Sequence, residues 1–352
     1  MTDVNVSSPT LGLCSASAPS KLIVAGEYAV LEGEPALVMA VDRSLAITLE
    51  PLACGEWEVF APGFNASCVR LHSAPAGFVC DRPDYAVFLS LFNGLLEHHA
   101  LKECFRAQGW RLRVDSRALF EQGQKLGLGS SAALCVALDT LLAQFPRRQE
   151  PAARSPTQRW AYLQALHSRA QGRRGSGADI AASLAGGVCV FEQHNFEHCR
   201  LQTYLWPADL HMAALWTGAS ASTPSFIGSW SAWRTRNPAS ASDLCRRLGE
   251  GVRRMAATTA GSDFVRAAKA YSRDLWDLEM ASGIGIYRCG HDRAHQLAEA
   301  ASDLCYKPCG AGGGDLGIAL STDPDLLQSF IARSGFRPVD IAPAPSKLNS
   351  TV

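Results

Sequence analysis

The sequence predicts an α+β fold in two domains, residues 14–205 and 206–345. Three observations carry this reading. The chain has 352 residues, more than one ordinary core serves. Its residues are 47% apolar and 19% charged, the balance of a folded globular protein. Finally, β-prone stretches and stretches of helical period alternate along the chain, and the texture changes near Trp206-Pro207.

Residues 1–13 read as a loose tail. "KLIVAGEYAVLEGEPALVMAVD" is β-prone and broken by Gly26 and by Glu32-Gly33-Glu34-Pro35, so strands with a tight connection are expected. "SLAITLEPL" and "EWEVFAP" continue the strand character, and "DYAVFLSLFNGLLEHHAL" has the period of a helix. "GWRLRVDS" alternates like a strand. Ser130 to Phe145 opens on serines and keeps apolar residues at helical spacing, which predicts a helix. "SPTQRWAYLQALHSRAQ" predicts another, with Ser155 as its cap. A glycine-rich loop then leads into a short helix, Ala178 to Leu184, and a Gly-Gly break leads into the strand "VCVFE".

Beyond residue 205, "HMAALWTGASAS" reads as a strand and then a loop. Helices are expected at "ASDLCRRLGEGVRRMAATT", "SDFVRAAKAYSRDLWDLEMAS", "HDRAHQLAEAAS" and "PDLLQSFIARSG". "LGIALS" and "FRPVDIAPAP" read as strands.

Composition narrows the function. Basic and acidic residues balance at 33 each, which argues against a nucleic-acid binder and makes any anion site local. The 12 cysteines are scattered, with no CxxC pair, so buried free thiols in a reducing compartment are expected rather than zinc ligands. The first twenty residues lack the basic start and apolar run of a signal peptide, and no apolar stretch is long enough to span a membrane. A cytoplasmic location is the expectation.

Three loops concentrate the chemistry. "KLGLGSSAA" sets bare backbone before a helix. Helix N-termini carry free N–H groups and partial positive charge, glycine permits close approach, and serines add hydroxyls. The stretch reads equally as a capped helix start with a flexible approach. It is not the nucleotide loop G-x-x-x-x-G-K-[ST], since no lysine follows Gly129, nor the dinucleotide fingerprint, since Ala132 stands where a third glycine belongs. "KPCGAGGGD" (307–315) is costly to order and reads as a backbone wall against a ligand. "GSGAD" places Asp179 at a helix start, either as a dipole partner or as a base beside the other loops. Lys21 opens an apolar strand after "SAPS" and can point into a cleft.

In this order, "SAPSKLIVAGEYAVL", "KLGLGSSAA", "GSGADIAAS" and "KPCGAGGGD" resemble the GHMP kinases over about Ser15 to Asp340. Within that family the likeness is to the branch that acts on 5-phosphomevalonate. The resemblance implies an N-terminal domain like the second domain of ribosomal protein S5 and a ferredoxin-like C-terminal domain. It implies ATP and Mg2+ in the cleft between them, and phosphorylation of 5-phosphomevalonate to its diphosphate in the mevalonate pathway of isoprenoid biosynthesis. Lys21 and Asp179 would carry phosphoryl transfer. Lys125, Gly127, Leu128, Gly129, Ser130, Ser131 and Ala132 would hold the nucleotide, with Ser131 on the metal. Arg173, Arg174, Ser176, Ser220, Ser222, Gly312 and Gly313 would line the substrate side.

The implied partner is a small phosphorylated carboxylic acid, with no nucleic acid and no membrane, and the chain acts as a monomer or homodimer. Mevalonate and sugar kinases, a decarboxylase of the same fold and a catalytically silent metabolite sensor are the competing assignments. Three departures from the pattern stand out. Cys309 replaces a serine. Glu121 to Lys125 stands where the wider family has a proline. No acid lies between Trp160 and Asp179, where related mevalonate kinases carry a metal-binding glutamate.

Overall fold

The computed structural model describes residues 12–348 except 54, 146–154, 174 and 196; most of the expected tail, Cys54 and Arg174 lie outside the described residues. The first half supplies strands β1 (Cys14–Ala25), β2 (Ala36–Leu52), β3 (Trp57–Ala61), β4 (Asn65–Ala74) and β5 (Gly77–Val79). Helices α1 (Ala86–His98) and α2 (Lys102–Arg106) follow, then β6 (Gly109–Asp115) and the small hairpin β7 (Phe120–Glu121) and β8 (Gln124–Lys125). Helices α3 (Ser130–Leu142), α4 (Pro156–Ala170) and α5 (Ala178–Ala185) precede β9 (Val188–Gln193) and β10 (Cys199–Tyr204).

These strands form an eight-stranded sheet in the order β10-β9-β2-β6-β3-β4-β5, with β1 also paired to β2. The pairing is antiparallel except for β3 on β6. The apolar faces of α1, α3, α4 and α5 cover this sheet around Trp57, Phe92, Phe105 and Trp110. The cap expected at Ser155 is a full capping box: Ser155 Oγ accepts from Gln158 N–H at 3.2 Å, and Gln158 Oε1 accepts from Ser155 N–H at 2.9 Å.

The second half supplies β11 (His211–Trp216), α6 (Thr223–Arg236), α7 (Pro238–Ala256), α8 (Gly261–Ser282), α9 (His291–Glu299), β12 (Cys305–Pro308), β13 (Leu316–Ser321), α10 (Pro324–Ser334) and β14 (Arg337–Val339). Its four strands make an antiparallel sheet in the order β12-β13-β11-β14. A continuous core joins the halves: Leu22, Val24, Leu37 and Met39 of the first pack with Phe264, Tyr271, Ile286 and Leu316 of the second.

Three features differ from expectation. β4 and β5 fall in a stretch with no clear alternation. Helix α6 lies between the loop and the helix read from the sequence, where no element is predicted; "TPSFIGSWSAWRTR" has no amphipathic period and buries mainly Trp230 and Trp233. The last strand is short, because Pro338 and Pro343 lack the N–H a sheet ladder uses. Residues beyond it cross to the first half instead, where Ala344 N–H donates to Ala40 O of β2 at 2.8 Å and Lys347 N–H donates to Ala185 O at the end of α5 at 2.7 Å.

Candidate phosphoryl-transfer site

Gly129 caps α3 in the left-handed region at φ 75°, with no side chain capping the helix. A Cβ at Gly129 would come within 2.9 Å of Lys21 Cε, and one at Gly127 within 2.4 Å of Asp315 Oδ2. The two glycines therefore do more than turn the chain. They let the Lys21 stem and the Asp315 carboxylate lie directly against the loop. The Lys21 backbone is fastened there as well, since its N–H donates to Leu128 O at 2.9 Å. Leu128 is buried in the shared core, so its place in the loop is as an anchor. Ala132 is fully buried, and its N–H is used by Gly129 O at 3.1 Å. Of the residues opening the helix, Ser130 and Ser131 are the ones that face a cavity.

Two cavities meet at this loop. One holds Lys21, Gly127, Arg173, Ser176 and Asp179, and is closed by Cys309, Gly310 and Ala311 from the glycine-rich loop. The other, about 500 Å³, is largely apolar and holds Lys125, Ser130 and Ser131 at one end. Gln171 lines both. Four separated stretches of sequence thus converge, as their chemistry suggested.

Asp179 lies in the first turn of α5, and its Oδ1 accepts from Ile180 N–H at 2.9 Å. Ser176 Oγ accepts from Ala178 N–H at 3.3 Å and helps open the same helix.

Some expected residues stand elsewhere. Gly312 and Gly313 do not line the cavity; they pack beneath Ile286 and Phe226, which a Cβ would strike. The wall is formed by Gly310 and Ala311, and Ala311 O accepts from Tyr28 OH at 2.6 Å. Ser220 is exposed and donates to Lys125 O at 3.4 Å, and Ser222 is the exposed N-cap of α6. Neither lines the cavity, whereas Thr223 and Ile227 from the same segment do.

Charge at the loop is balanced by a residue the sequence reading did not single out. Asp315, at φ 53°, anchors its segment by donating from its N–H to Ala219 O at 2.7 Å, while its Oδ1 accepts from Ala221 N–H at 3.1 Å. Burial raises its carboxyl above the usual value, while the Ala221 N–H, Lys21 and Lys125 pull the other way. Burial lowers the Lys125 ammonium; Asp315 opposes that fall and Lys21 adds to it. Burial also pushes the Cys309 thiol up to about 12, so it is a neutral wall group.

Two further residues escaped the sequence reading. His167 Nε2 lies 3.0 Å from Ser131 Oγ, and Gln171 Nε2 donates to the same oxygen at 2.8 Å. Their four-residue spacing on and just past α4 was the available signal, because it puts them on one face. Among the described residues, no cluster of three or more His, Cys, Asp or Glu side chains could hold a metal.

A lysine and a carboxylate thus face one hollow, and a glycine-bounded helix start opens on the hollow beside it. Residues 90–187 match the family described as GHMP kinases N terminal domain. The chain is 29% identical over 369 residues to phosphomevalonate kinase of Streptomyces sp. (strain CL190), covering 93% of this chain and 96% of that protein. It is 29% identical over 178 residues to mevalonate kinase of Methanothermobacter thermautotrophicus, covering 51% of this chain and 50% of the other. A Lin0012 protein from Listeria innocua has the same fold, with TM-score 0.80, 22% identity and coverage of 95% and 98%. So does Streptococcus pneumoniae phosphomevalonate kinase in complex with phosphomevalonate and AMPPNP, with TM-score 0.71, 19% identity and coverage of 94% and 99%. The match over residues 90–187 and the likeness to phosphomevalonate kinase over 93% of the chain point to the GHMP kinases.

Proposed function

We propose that the protein is an ATP-dependent small-molecule kinase of the mevalonate pathway, transferring the γ-phosphoryl group of ATP to 5-phosphomevalonate. The observation that carries this reading is that Lys21, Asp179 and the Gly127–Ser131 loop meet at adjoining cavities. Similarity to phosphomevalonate kinase over 93% of the chain supports the acceptor.

Phosphoryl transfer needs alignment and charge neutralisation more than covalent help. The apolar cavity fits a nucleoside, with its phosphates toward Ser130, Ser131 and Lys125. An acceptor phosphate oxygen attacks the γ-phosphorus, the bond to the β-phosphate oxygen breaks, and ADP leaves. Lys21 stabilises the charge in flight. The acceptor oxygen is already ionised at neutral pH, so Asp179 positions Lys21 and the acceptor more than it removes a proton. Arg173 and Ser176 hold the acceptor's own anionic groups.

Bound with ATP, Mg2+ would neutralise charge on the β- and γ-phosphates. Ser131 fits as a protein ligand, because this ion keeps several waters and needs few protein oxygens when phosphates are present. With its four helices α6 to α9 counted as one crossover, the second half follows a β–α–β–β–α–β path with sheet order β12-β13-β11-β14, which supports a ferredoxin-like domain after residue 205.

The test is a panel of hydroxy acids, their monophosphates and sugars, with Mg2+ and ATP, read by coupled ADP release. Release with a phosphorylated hydroxy acid supports the reading. Release with none of the panel leaves the silent-sensor alternative standing.

A further inference from the structure

We propose that His167 and Gln171 are positioning residues that set the Ser131 hydroxyl for a nucleotide-bound cation. This rests on the kinase reading above.

The Gln171 amide nitrogen donates to Ser131 Oγ at 2.8 Å, and its 3.2 Å approach to His167 Nε2 closes a triangle with the 3.0 Å contact between that nitrogen and Ser131 Oγ. An unprotonated imidazole nitrogen has a single lone pair, so it does not accept from Gln171 and Ser131 together; Gln171 serves the serine. In the proposed arrangement the ring proton sits on Nδ1 and Nε2 accepts from the Ser131 O–H. The hydroxyl oxygen then receives one hydrogen bond from Gln171 and gives its proton to His167. One lone pair is left over, free to face the cleft.

A hydroxyl bound to a cation has to turn its proton away from it, and here that orientation is built in before any ligand arrives. His167 is buried in α4, and Gln171 is held at its other end, where Oε1 accepts from Arg173 at 3.5 Å. The chain Arg173–Gln171–Ser131–His167 therefore runs from the Lys21–Asp179 cavity to the nucleotide loop. It also gives a physical account of the missing acid before Asp179. Neutral groups orient a serine where a carboxylate would otherwise supply charge, so the site relies on the phosphates and water for the remaining ligands.

The experiment is calorimetric titration of the full-length protein with AMPPNP, with and without Mg2+. Its readout is the factor by which Mg2+ tightens binding. In the wild type Mg2+ tightens binding. In Ser131→Ala, His167→Leu and Gln171→Leu that factor falls by about tenfold or more, the usual cost of removing a group that orients a metal ligand. In His167→Leu and Gln171→Leu, metal-free affinity stays within about twofold. His167→Gln places an amide oxygen near the Nε2 position and recovers most of the factor. Adding His167→Leu to Ser131→Ala costs nothing further, since the two act through one oxygen.

His167→Leu and Gln171→Leu proteins that melt like the wild type and keep the full Mg2+ factor would overturn the proposal while leaving the kinase reading intact. Failure of His167→Gln to recover any of the factor would also overturn it. A wild-type protein that binds AMPPNP in neither condition overturns both.

Discussion

Lys307 Nζ lies 2.5 Å from Glu27 Oε1, and neither side chain is exposed to solvent. The pair joins β12 to the turn that follows β1, across 280 residues of sequence. Tyr271 OH donates to Glu27 Oε2 at 2.6 Å and accepts from Gly26 N–H at 2.7 Å, so both carboxylate oxygens are bonded. Burial disfavours the Lys307 charge, but Glu27 outweighs it and the ammonium sits above its usual value. The same strand that carries Lys21 is thereby fixed to the loop that closes its cavity.

Removing one partner strands a buried charge. Lys307→Met is expected to cost about 3–5 kcal/mol in denaturant unfolding. The double variant Glu27→Gln/Lys307→Met is expected to cost less than the sum of the single changes, because neither charge is then left alone. Strict additivity of the two would contradict the pairing.

A second buried cluster braces the helices behind the site. Asp139 of α3 accepts from His99 at 2.8 Å, from Arg159 at 2.6 Å and from Tyr162. Burial raises its carboxyl, yet His99, Arg159 and Tyr162 together hold it down at about 2. A depressed carboxylate stabilises the fold above its unfolded value near 3.8 and loses that contribution as pH falls toward 2. Asp139→Asn is expected to lose roughly 2 kcal/mol at pH 7. The gap to the wild type should narrow below about pH 4. A gap that stays constant down to pH 2 in thermal melts would contradict the assignment.

Lys21→Met and Asp179→Asn are expected to lower turnover by roughly 10²–10⁴-fold. Both side chains face the cavity rather than the core, so melting temperature should stay within a few degrees. Near-normal turnover in either would contradict their roles.

Cys309 stands in the cavity wall with its thiol held at about 12 by burial. Iodoacetamide on the native protein at pH 7.5 should therefore leave Cys309 unmodified, while exposed Cys68, Cys104 and Cys289 are accessible to it. Peptide mass mapping reads the outcome. Cys309→Ser should keep turnover within about threefold, because the volume barely changes.

Where the sequence was informative, the reason was local. The serine box of α4, the glycine-bounded start of α3 and the Gly177 turn before Asp179 each announce themselves within a few residues. The parts that stayed hidden depend on distant partners. Helix α6 has no apolar stripe, and its placement over the cavity follows from Phe226 lying on Gly313. Gly312 and Gly313 looked like ligand wall because glycine reads as open backbone, but here their bareness admits Ile286 and Phe226. Asp315 ends the glycine-rich stretch "KPCGAGGGD", but its place as counter-charge appears only once Lys21 and Lys125 are beside it. His167 and Gln171 became legible only when α4 was laid against Ser131.

The central claim is transfer of a phosphoryl group onto an acceptor that is already phosphorylated. The most direct measurement is 31P NMR of the wild-type protein with ATP, Mg2+ and equal 5-phosphomevalonate and mevalonate. The account predicts a new diphosphate resonance pair growing in step with ADP, and no monophosphate formed from mevalonate. Monophosphate from mevalonate without any diphosphate product, or no change in the spectrum at all, would contradict it.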